Sequence, residues 1–364
     1  MFEPTALIRP HIEAMQAYQP IYPFEVLSER LGRRPEDIVK LDANENPYGP
    51  HPAVLEALGK MTSTHIYPDP ESTFLRQALT KQTGIPFQNL MVGAGADELI
   101  DLIMRLFLDP GDVLLNCPPT FGMYAFDGDI QGARVVNVPR NVDFSLDLSA
   151  LETAIVETNP KLLFLCSPNN PDGGLITKET VGRLLQHPVV IVLDEAYIEF
   201  APEGSSHLRG VLEHTNFIVL RTFSKWAGLA GLRVGYGAFP KELMPYLWKI
   251  KQPYNVSVAG TVAALTSLDH ISERKEIGHK LIAERERLFE CLEGVSYLHP
   301  YPSKANFILC RVLGRDAREL KETLTKAGIL VRFFDTAGLE DHIRISVGKA
   351  EHTDATVAAL AELE

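Results

Sequence analysis

Short apolar runs and helical periodicities alternate along most of this chain. From about residue 53, runs at 90–92, 113–116, 134–138, 162–166, 189–193, 217–220 and 234–238 are a few residues long and drawn mostly from Val, Leu, Ile and Phe. Their length and β-branched content predict buried strands. Segments of 3.6-residue periodicity lie between them, as at 97–107, 148–157 and 178–185. Strands separated by helices predict an α/β fold with a mostly parallel sheet covered on both faces. A long helical region follows at roughly 258–292, dense in charge after Asp269. Beyond it the pattern reads strand 296–299, strand 306–311, helix 316–327, strands 330–334 and 343–347, and a last helix 350–363, which makes a smaller α+β domain. Before residue 40, an amphipathic start from Leu7 to Tyr18 and a helix around 24–31 flank a proline-punctuated stretch. That arm is too short to fold alone and is expected to pack on the smaller domain. The expected partition is 1–45 for the arm, 46–262 for the large domain and 263–364 for the small one.

Composition narrows the class. The 364 residues are enough for two domains with full cores. A net charge of −12 argues against nucleic acid or an anionic membrane as the main partner, yet leaves room for a small anion in a local cationic pocket. No apolar run approaches the ~18 residues of a membrane span. The start, Met-Phe-Glu-Pro-Thr, carries an acid and a proline where a signal peptide would be basic and then apolar. Cys117, Cys166, Cys291 and Cys310 are widely spaced beside apolar segments and are expected to be free, buried thiols. The histidines form no His-Glu-x-x-His or similar pattern. A cytoplasmic protein without metal is the expectation.

Lys225 is the first candidate for chemistry. It lies in Arg221-Thr-Phe-Ser-Lys-Trp-Ala-Gly-Leu-Ala-Gly-Leu-Arg233, at the exit of a predicted strand, with hydroxyls at Thr222 and Ser224 and an arginine eight residues on. An amine among phosphate-binding groups suits capture of pyridoxal phosphate as a Schiff base, although a lysine after a strand also suits a solvated surface. Asp194 closes the run Val189-Val-Ile-Val-Leu193, where ligands bind in open α/β sheets. A carboxylate there can keep a pyridine nitrogen protonated, or simply cap a turn. Tyr197 is placed to donate to a ring oxygen. Gly93-Ala-Gly-Ala-Asp-Glu98 leaves a strand and opens a helix, which suits a phosphate at the helix N-terminus. A dinucleotide fold competes, but the third glycine of its fingerprint is missing. Ser167-Pro-Asn-Asn-Pro-Asp-Gly-Gly174 fixes a turn and offers Asn170 to a ring oxygen or a substrate carboxylate.

With these segments in this order, the chain resembles the fold-type I pyridoxal-phosphate aminotransferases, and among them the histidinol-phosphate aminotransferases. The resemblance rests also on Leu41-Asp-Ala-Asn-Glu-Asn-Pro47, Tyr67-Pro-Asp, Cys117-Pro-Pro-Thr-Phe-Gly-Met-Tyr124, Leu193-Asp-Glu-Ala-Tyr-Ile-Glu-Phe200, Ala305-Asn-Phe-Ile308 and Ile343-Arg-Ile-Ser-Val-Gly348, spread over nearly the whole chain. It implies a large, mostly parallel seven-stranded sheet domain and pyridoxal 5'-phosphate as cofactor. Lys225 would form the Schiff base and shuttle a proton, Asp194 would pair with the ring nitrogen, and Asn170 and Tyr197 would hold the ring oxygen. Phe121 would stack on the ring. The Ala96 and Asp97 amides, Thr222, Ser224 and Arg233 would cradle the phosphate. Tyr67 matches a tyrosine sent into the neighbouring subunit's site, so a homodimer is implied. Arg344 would bind the substrate's anionic group, with Arg332 as a second cation and Tyr18 as either a substrate-phosphate contact or a packed aromatic. The implied reaction is transamination of L-histidinol phosphate with 2-oxoglutarate. An aromatic aminotransferase and an L-threonine O-3-phosphate decarboxylase are the alternatives on this fold. Asp172 and Trp226 depart from the family's usual threonine and small residue.

Overall fold

The computed structural model describes residues 2–17 and 21–363. Two sheets organise them. A first strand, β1 (Val39–Leu41), belongs to the smaller sheet although it precedes the larger one in sequence. The predicted apolar runs form the larger sheet: β2 (Leu90–Gly93), β3 (Val113–Asn116), β4 (Arg134–Asn137), β5 (Leu162–Cys166), β6 (Val190–Asp194), β7 (Phe217–Thr222) and β8 (Gly235–Ala238). Every residue of β2, β3, β5 and β8 is buried, which is why these strands read as continuous apolar runs rather than alternating ones.

The spatial order is β2-β8-β7-β6-β5-β3-β4. β8 is antiparallel to both β2 and β7, and the remaining pairs are parallel. β2 therefore points the same way as β5, β6 and β7. The C-terminal ends of those four strands share one edge with the N-terminal end of β8. Register sets Cys166 beside Asp194 and Thr222 beside Gly235 along that edge. Loops leaving the strands converge there, which is where open α/β sheets bind ligands. The helix Ala96–Phe107 starts at the same edge and buries Leu99, Ile100, Ile103 and Met104 in the core beneath it.

The smaller sheet adds β9 (Leu298–Pro300), β10 (Phe307–Val312), β11 (Ile329–Phe333) and β12 (His342–Ser346), in the order β1-β11-β12-β10-β9. β1 runs parallel to β11, and the other pairs are antiparallel. With three residues, β1 is too short for periodicity to mark. Its Lys40 side chain is buried by ion pairs to Asp42 at 3.1 Å and Glu45 at 2.7 Å.

Several helices differ from the sequence reading. The region read as one helix over 258–292 is two, Val258–Asp269 and Ile271–Glu293, with His270 at φ −109° and ψ 34° between them. Pro52–Gly59, Thr73–Thr83, Met123–Gln131 and Met244–Ile250 are helices without a strong apolar stripe to announce them. Gly128 inside one of these is there for packing: a Cβ would lie 2.5 Å from Leu114 Cδ2. The amphipathic start shrinks to a 3-10 turn at Pro4–Leu7 and a helix at Pro10–Ala14, each begun by its proline. The arm reaches both parts of the molecule. His11 Nε2 lies 3.3 Å from the Ile130 carbonyl oxygen, while Arg33 Nη2 donates to the Lys326 carbonyl at 2.8 Å. Cys117, Cys166 and Cys310 are buried and free, and Cys291 is free and half-buried. No described helix is long and apolar enough to cross a membrane.

Candidate active site

The turn after β2 and the start of β8 touch backbone to backbone. A Cβ on Gly235 would fall 2.4 Å from the Ala96 nitrogen, and one on Gly95 (φ 82°) would fall 2.5 Å from Arg233 Nη2. Only glycine fits either position, and the contact sets Arg233 over the first turn of the helix that begins at Ala96. Arg233 Nη2 lies 2.6 Å from Asp97 Oδ2. Arg233 itself has φ 51°, a left-handed conformation that costs a residue with a Cβ roughly 1–2 kcal/mol. Glu98 turns back instead, its carboxylate accepting from the Ala94 amide at 2.5 Å.

β7 delivers the lysine. Thr222 Oγ1 accepts from the Ser224 amide at 3.0 Å and donates to Ser224 Oγ at 2.9 Å, which tightens the strand exit. Asn46 Nδ2 braces the next step by donating to the carbonyls of Lys225 (3.2 Å) and Trp226 (3.1 Å). Lys225 Nζ donates to the Ala43 carbonyl at 3.2 Å. Burial, and then the charge of Arg344, lower this amine to about 8. About a tenth of the amine is thus neutral, the nucleophilic form, at pH 7, far more than for an ordinary lysine.

Asp194 faces the same space from the end of β6. It accepts from Tyr124 Oη at 2.8 Å and from the Ala196 amide at 3.0 Å. Burial nevertheless pushes its carboxyl up to about 6, and no cation among the described residues forms an ion pair with it. The Tyr197 hydroxyl accepts from Asn44 Nδ2 at 3.2 Å. Asn44 also receives Asn306 Nδ2 on its carbonyl (3.0 Å) and bonds Ser346 through its amide (2.9 Å), tying the large sheet's edge to the smaller sheet.

Nine predicted positions line one cavity of about 140 Å³: Ala96, Asp97, Phe121, Asp194, Tyr197, Thr222, Ser224, Lys225 and Arg233, with Cys166, Ala196 and Ala230 filling gaps. Asn170, Arg332 and Arg344 lie outside that lining. Arg344 is buried, with Nη1 donating to Asn170 Oδ1 and Nη2 donating to the Asp42 carbonyl at 2.9 Å. Arg332 stands opposite Arg344 across β11 and β12. Their guanidinium carbons lie 5.7 and 5.5 Å from the Phe334 ring centre. The site thus contains an amine, a buried carboxyl, a helix N-terminus with hydroxyls and an arginine beside it, and two further arginines on the adjoining sheet.

The chain as a whole is similar to known proteins. The family model for aminotransferase class I and II matches residues 36–363. The chain belongs to the class I and II aminotransferases. It is 55% identical over 98% of its length to the chloroplastic histidinol-phosphate aminotransferase of Nicotiana plumbaginifolia, of which it covers 86%. It is 51% identical over 99% of its length to the histidinol-phosphate aminotransferase of Roseiflexus castenholzii, of which it covers 98%. The crystal structure of histidinol-phosphate aminotransferase from Sinorhizobium meliloti in complex with pyridoxal-5'-phosphate superposes with a TM-score of 0.89 at 31% identity, covering 98% of each chain.

Tyr67 is not among the residues that line its own chain's cavity. It is 78% exposed and stacks on Tyr254 at 4.7 Å. Tyr18 lies outside the described residues. Asp172 makes the local bonds expected of it, receiving the Gly174 amide at 2.7 Å and Asn169 Nδ2. Three contributors were given no role from the sequence: Asn44, Asn46 and Tyr124. Each sits inside a motif that was recognised, but its partner is 70 or more residues away, and local pattern does not reveal that distance.

Proposed function

We propose that this aminotransferase moves the amino group of L-histidinol phosphate to 2-oxoglutarate, giving imidazole acetol phosphate and glutamate, in histidine biosynthesis. One observation carries the substrate assignment: two arginines, Arg344 and Arg332, face each other across neighbouring strands beside the lysine cavity. Planar guanidinium forks bind phosphate and carboxylate by paired charge-assisted hydrogen bonds, so one pair serves both the phosphate of the donor and a carboxylate of the acceptor. The high identity to histidinol-phosphate aminotransferases supports the same reading.

The cavity residues fit pyridoxal 5'-phosphate. Asp194 is a buried carboxyl whose donors among the described residues are neutral, and a protonated ring nitrogen would give it a cation. Thr222, Ser224, Arg233 and the amides at the start of the helix Ala96–Phe107 make a phosphate cradle of hydroxyls, guanidinium and helix N-terminus. When bound, the cofactor withdraws electrons from the substrate Cα and so makes its proton removable.

The chain's own residues do the rest. Lys225 Nζ removes the proton from the substrate Cα, and its lowered pKa leaves it able to accept one near neutral pH. Asp194 would hold the proton on the ring nitrogen, Tyr197 and Asn170 would hold the ring oxygen, and Phe121 would stack on the ring. Arg344, already oriented by Asn170 and the Asp42 carbonyl, holds the anionic end of the substrate, so that only the Cα–H end reaches the amine. Catalysis here is positioning plus a tuned base.

We further infer a homodimer. Tyr67 and Tyr254, with exposed Leu55, Ile66 and Phe74 in the same stretch of the chain, offer an apolar face, and Tyr67 would enter the partner's site from it. The free thiols favour a reducing compartment such as the cytoplasm. We infer an arm at 1–45, a large domain at 46–262 and a small domain at 263–364.

Steady-state kinetics on Arg344→Ala test the substrate assignment. KM for histidinol phosphate and for 2-oxoglutarate should both rise, roughly 10–100-fold for loss of charge-assisted bonds, with the cofactor retained. Loss of cofactor in place of a KM change would contradict the assignment, and carbon dioxide release without a keto acid would make the enzyme a decarboxylase.

A further inference from the structure

Side chains alternate along β7, so Thr222 and Arg221 face opposite sides of the sheet. Thr222 reaches the cofactor cavity, and Arg221 reaches a larger one of about 510 Å³. Leu208, Leu268, Ile271 and the Trp226 ring give this second cavity apolar walls. Lys178, Arg209, Arg221, Arg274 and Lys275 supply cations to it, against one carboxylate, Glu199.

The arginines differ in how they are paired. Arg221 is neutralised by Glu195 at 2.9 Å and bonds Ser206 Oγ at 2.6 Å. Arg274 is only 4% exposed and forms no ion pair with any described carboxylate. Its Nη2 donates to the Trp226 carbonyl at 2.6 Å, while its Nε has no partner among the described residues. Trp226 is 8% exposed, and its indole Nε1 likewise has no described partner. A buried guanidinium without an anion is costly, and so is a buried N–H without an acceptor. Two such donors belong to side chains lining one cavity, and neither takes part in the transamination chemistry. An anion bound in the cavity supplies the counter-charge that Arg274 lacks. Glu199 Oε1 lies 3.9 Å from Arg221 Nη1, its Oε2 has no partner among the described residues, and burial raises that carboxyl to about 7. One negative charge is compatible with it, whereas a dianion beside it is opposed.

We propose that this cavity is a second ligand site, taking a small organic monocarboxylate with a flat apolar body. The carboxylate pairs with the Arg274 guanidinium beside the Trp226 ring, and the body lies against Leu208, Leu268 and Ile271. The site is separate from the one that holds the reacting substrate. It nevertheless meets the lysine loop directly, because Trp226 follows Lys225 and Asn46 Nδ2 bonds both carbonyls.

Tryptophan fluorescence of the holoenzyme tests this. The chain has two tryptophans, so Trp248→Phe leaves Trp226 as the sole reporter. Phenylacetate should change its emission saturably, and phenylacetamide should bind at least roughly tenfold more weakly for want of the charge. Gly278 lines the cavity, and a Cβ there meets nothing nearer than the Glu199 carbonyl oxygen at 4.0 Å, so Gly278→Leu fills the space without a clash at its root. In that variant the response should vanish, and in Arg274→Met it should weaken at least roughly tenfold. Equal binding of acid and amide, no saturable change, or a response that survives Gly278→Leu overturns the proposal. The glycine variant decides the matter even if removing Arg274 prevents folding.

Discussion

Asp194 and Glu195 are consecutive acids at the end of one strand, and their surroundings are opposite. Glu195 is fully buried and surrounded by donors: the His207 amide at 2.5 Å, Ser206 Oγ at 2.8 Å and Arg221 Nε at 3.0 Å. Burial alone would raise its pKa, but the Arg221 charge and these bonds bring it below the ordinary value. Asp194 is nearly as buried, has two neutral donors and no paired cation among the described residues, and is pushed up to about 6. A carboxylate whose charge the chain itself compensates holds structure together. A carboxylate left uncompensated at the ligand-binding edge of a sheet is reserved for a charge that arrives with a ligand. Lys225 is the matching case among the cations, buried beside the positive Arg344 and lowered for that reason.

The largest effect should come from the amine. Lys225→Ala should lower turnover by at least ~10²–10⁴-fold, the range for a positioned proton-transfer group, and abolish the visible absorbance of lysine-bound cofactor. The urea midpoint should hardly move. Full turnover in that variant would remove the lysine from the mechanism.

Next, the two acids should separate cleanly. Asp194→Asn should cut turnover by about 100-fold while leaving the fold as stable or more so, because a buried uncompensated charge is removed. Glu195→Gln should do the reverse: it leaves Arg221 buried without its main partner and costs about 3–5 kcal/mol of stability. Activity per folded molecule should stay within a few-fold. Urea titrations and specific activities on both variants measure this, and exchanged phenotypes would break the contrast.

A smaller effect is the pH dependence of stability in cofactor-free protein. Asp194 is raised on folding from 3.8 to about 6, so its contribution is fully present below 3.8 and is lost as pH rises through 6. At about 1.4 kcal/mol per unit, this amounts to about 3 kcal/mol. Glu195 is lowered on folding, so its contribution is present above 4.5 and is lost as pH falls through its folded value. The stability of the parent relative to Asp194→Asn should therefore fall, by about 3 kcal/mol in all, as pH rises from below 4 to above 6. A difference that stays flat over that window would contradict the assigned environment of Asp194.

Much of this was legible in the sequence because burial on both faces makes parallel strands continuous apolar runs, and several functional side chains sit at or just after the end of one. Asp194 follows β6's apolar residues, Lys225 follows β7, and the Gly93–Glu98 turn follows β2. What the pattern could not mark is contact at long range. β1 has three residues and is held by pairing to β11, nearly 300 residues on. Tyr124 reaches Asp194 across 70 positions, and Asn44 reaches Tyr197 across 153. The split at His270 also escaped notice, because apolar and charged residues continue at helical spacing through it. The large cavity behind the lysine was invisible for the same reason, since its orphaned donors, Trp226 and Arg274, lie 48 residues apart.

The most direct test is a single half-reaction. L-Histidinol phosphate is added to the purified yellow holoenzyme without any keto acid, and the absorbance of the lysine-bound cofactor is followed. The account predicts stoichiometric conversion to the pyridoxamine form at low substrate concentration, reversed by 2-oxoglutarate. An unchanged band with histidinol phosphate, together with conversion by phenylalanine or tyrosine, would contradict it and make the enzyme an aromatic aminotransferase.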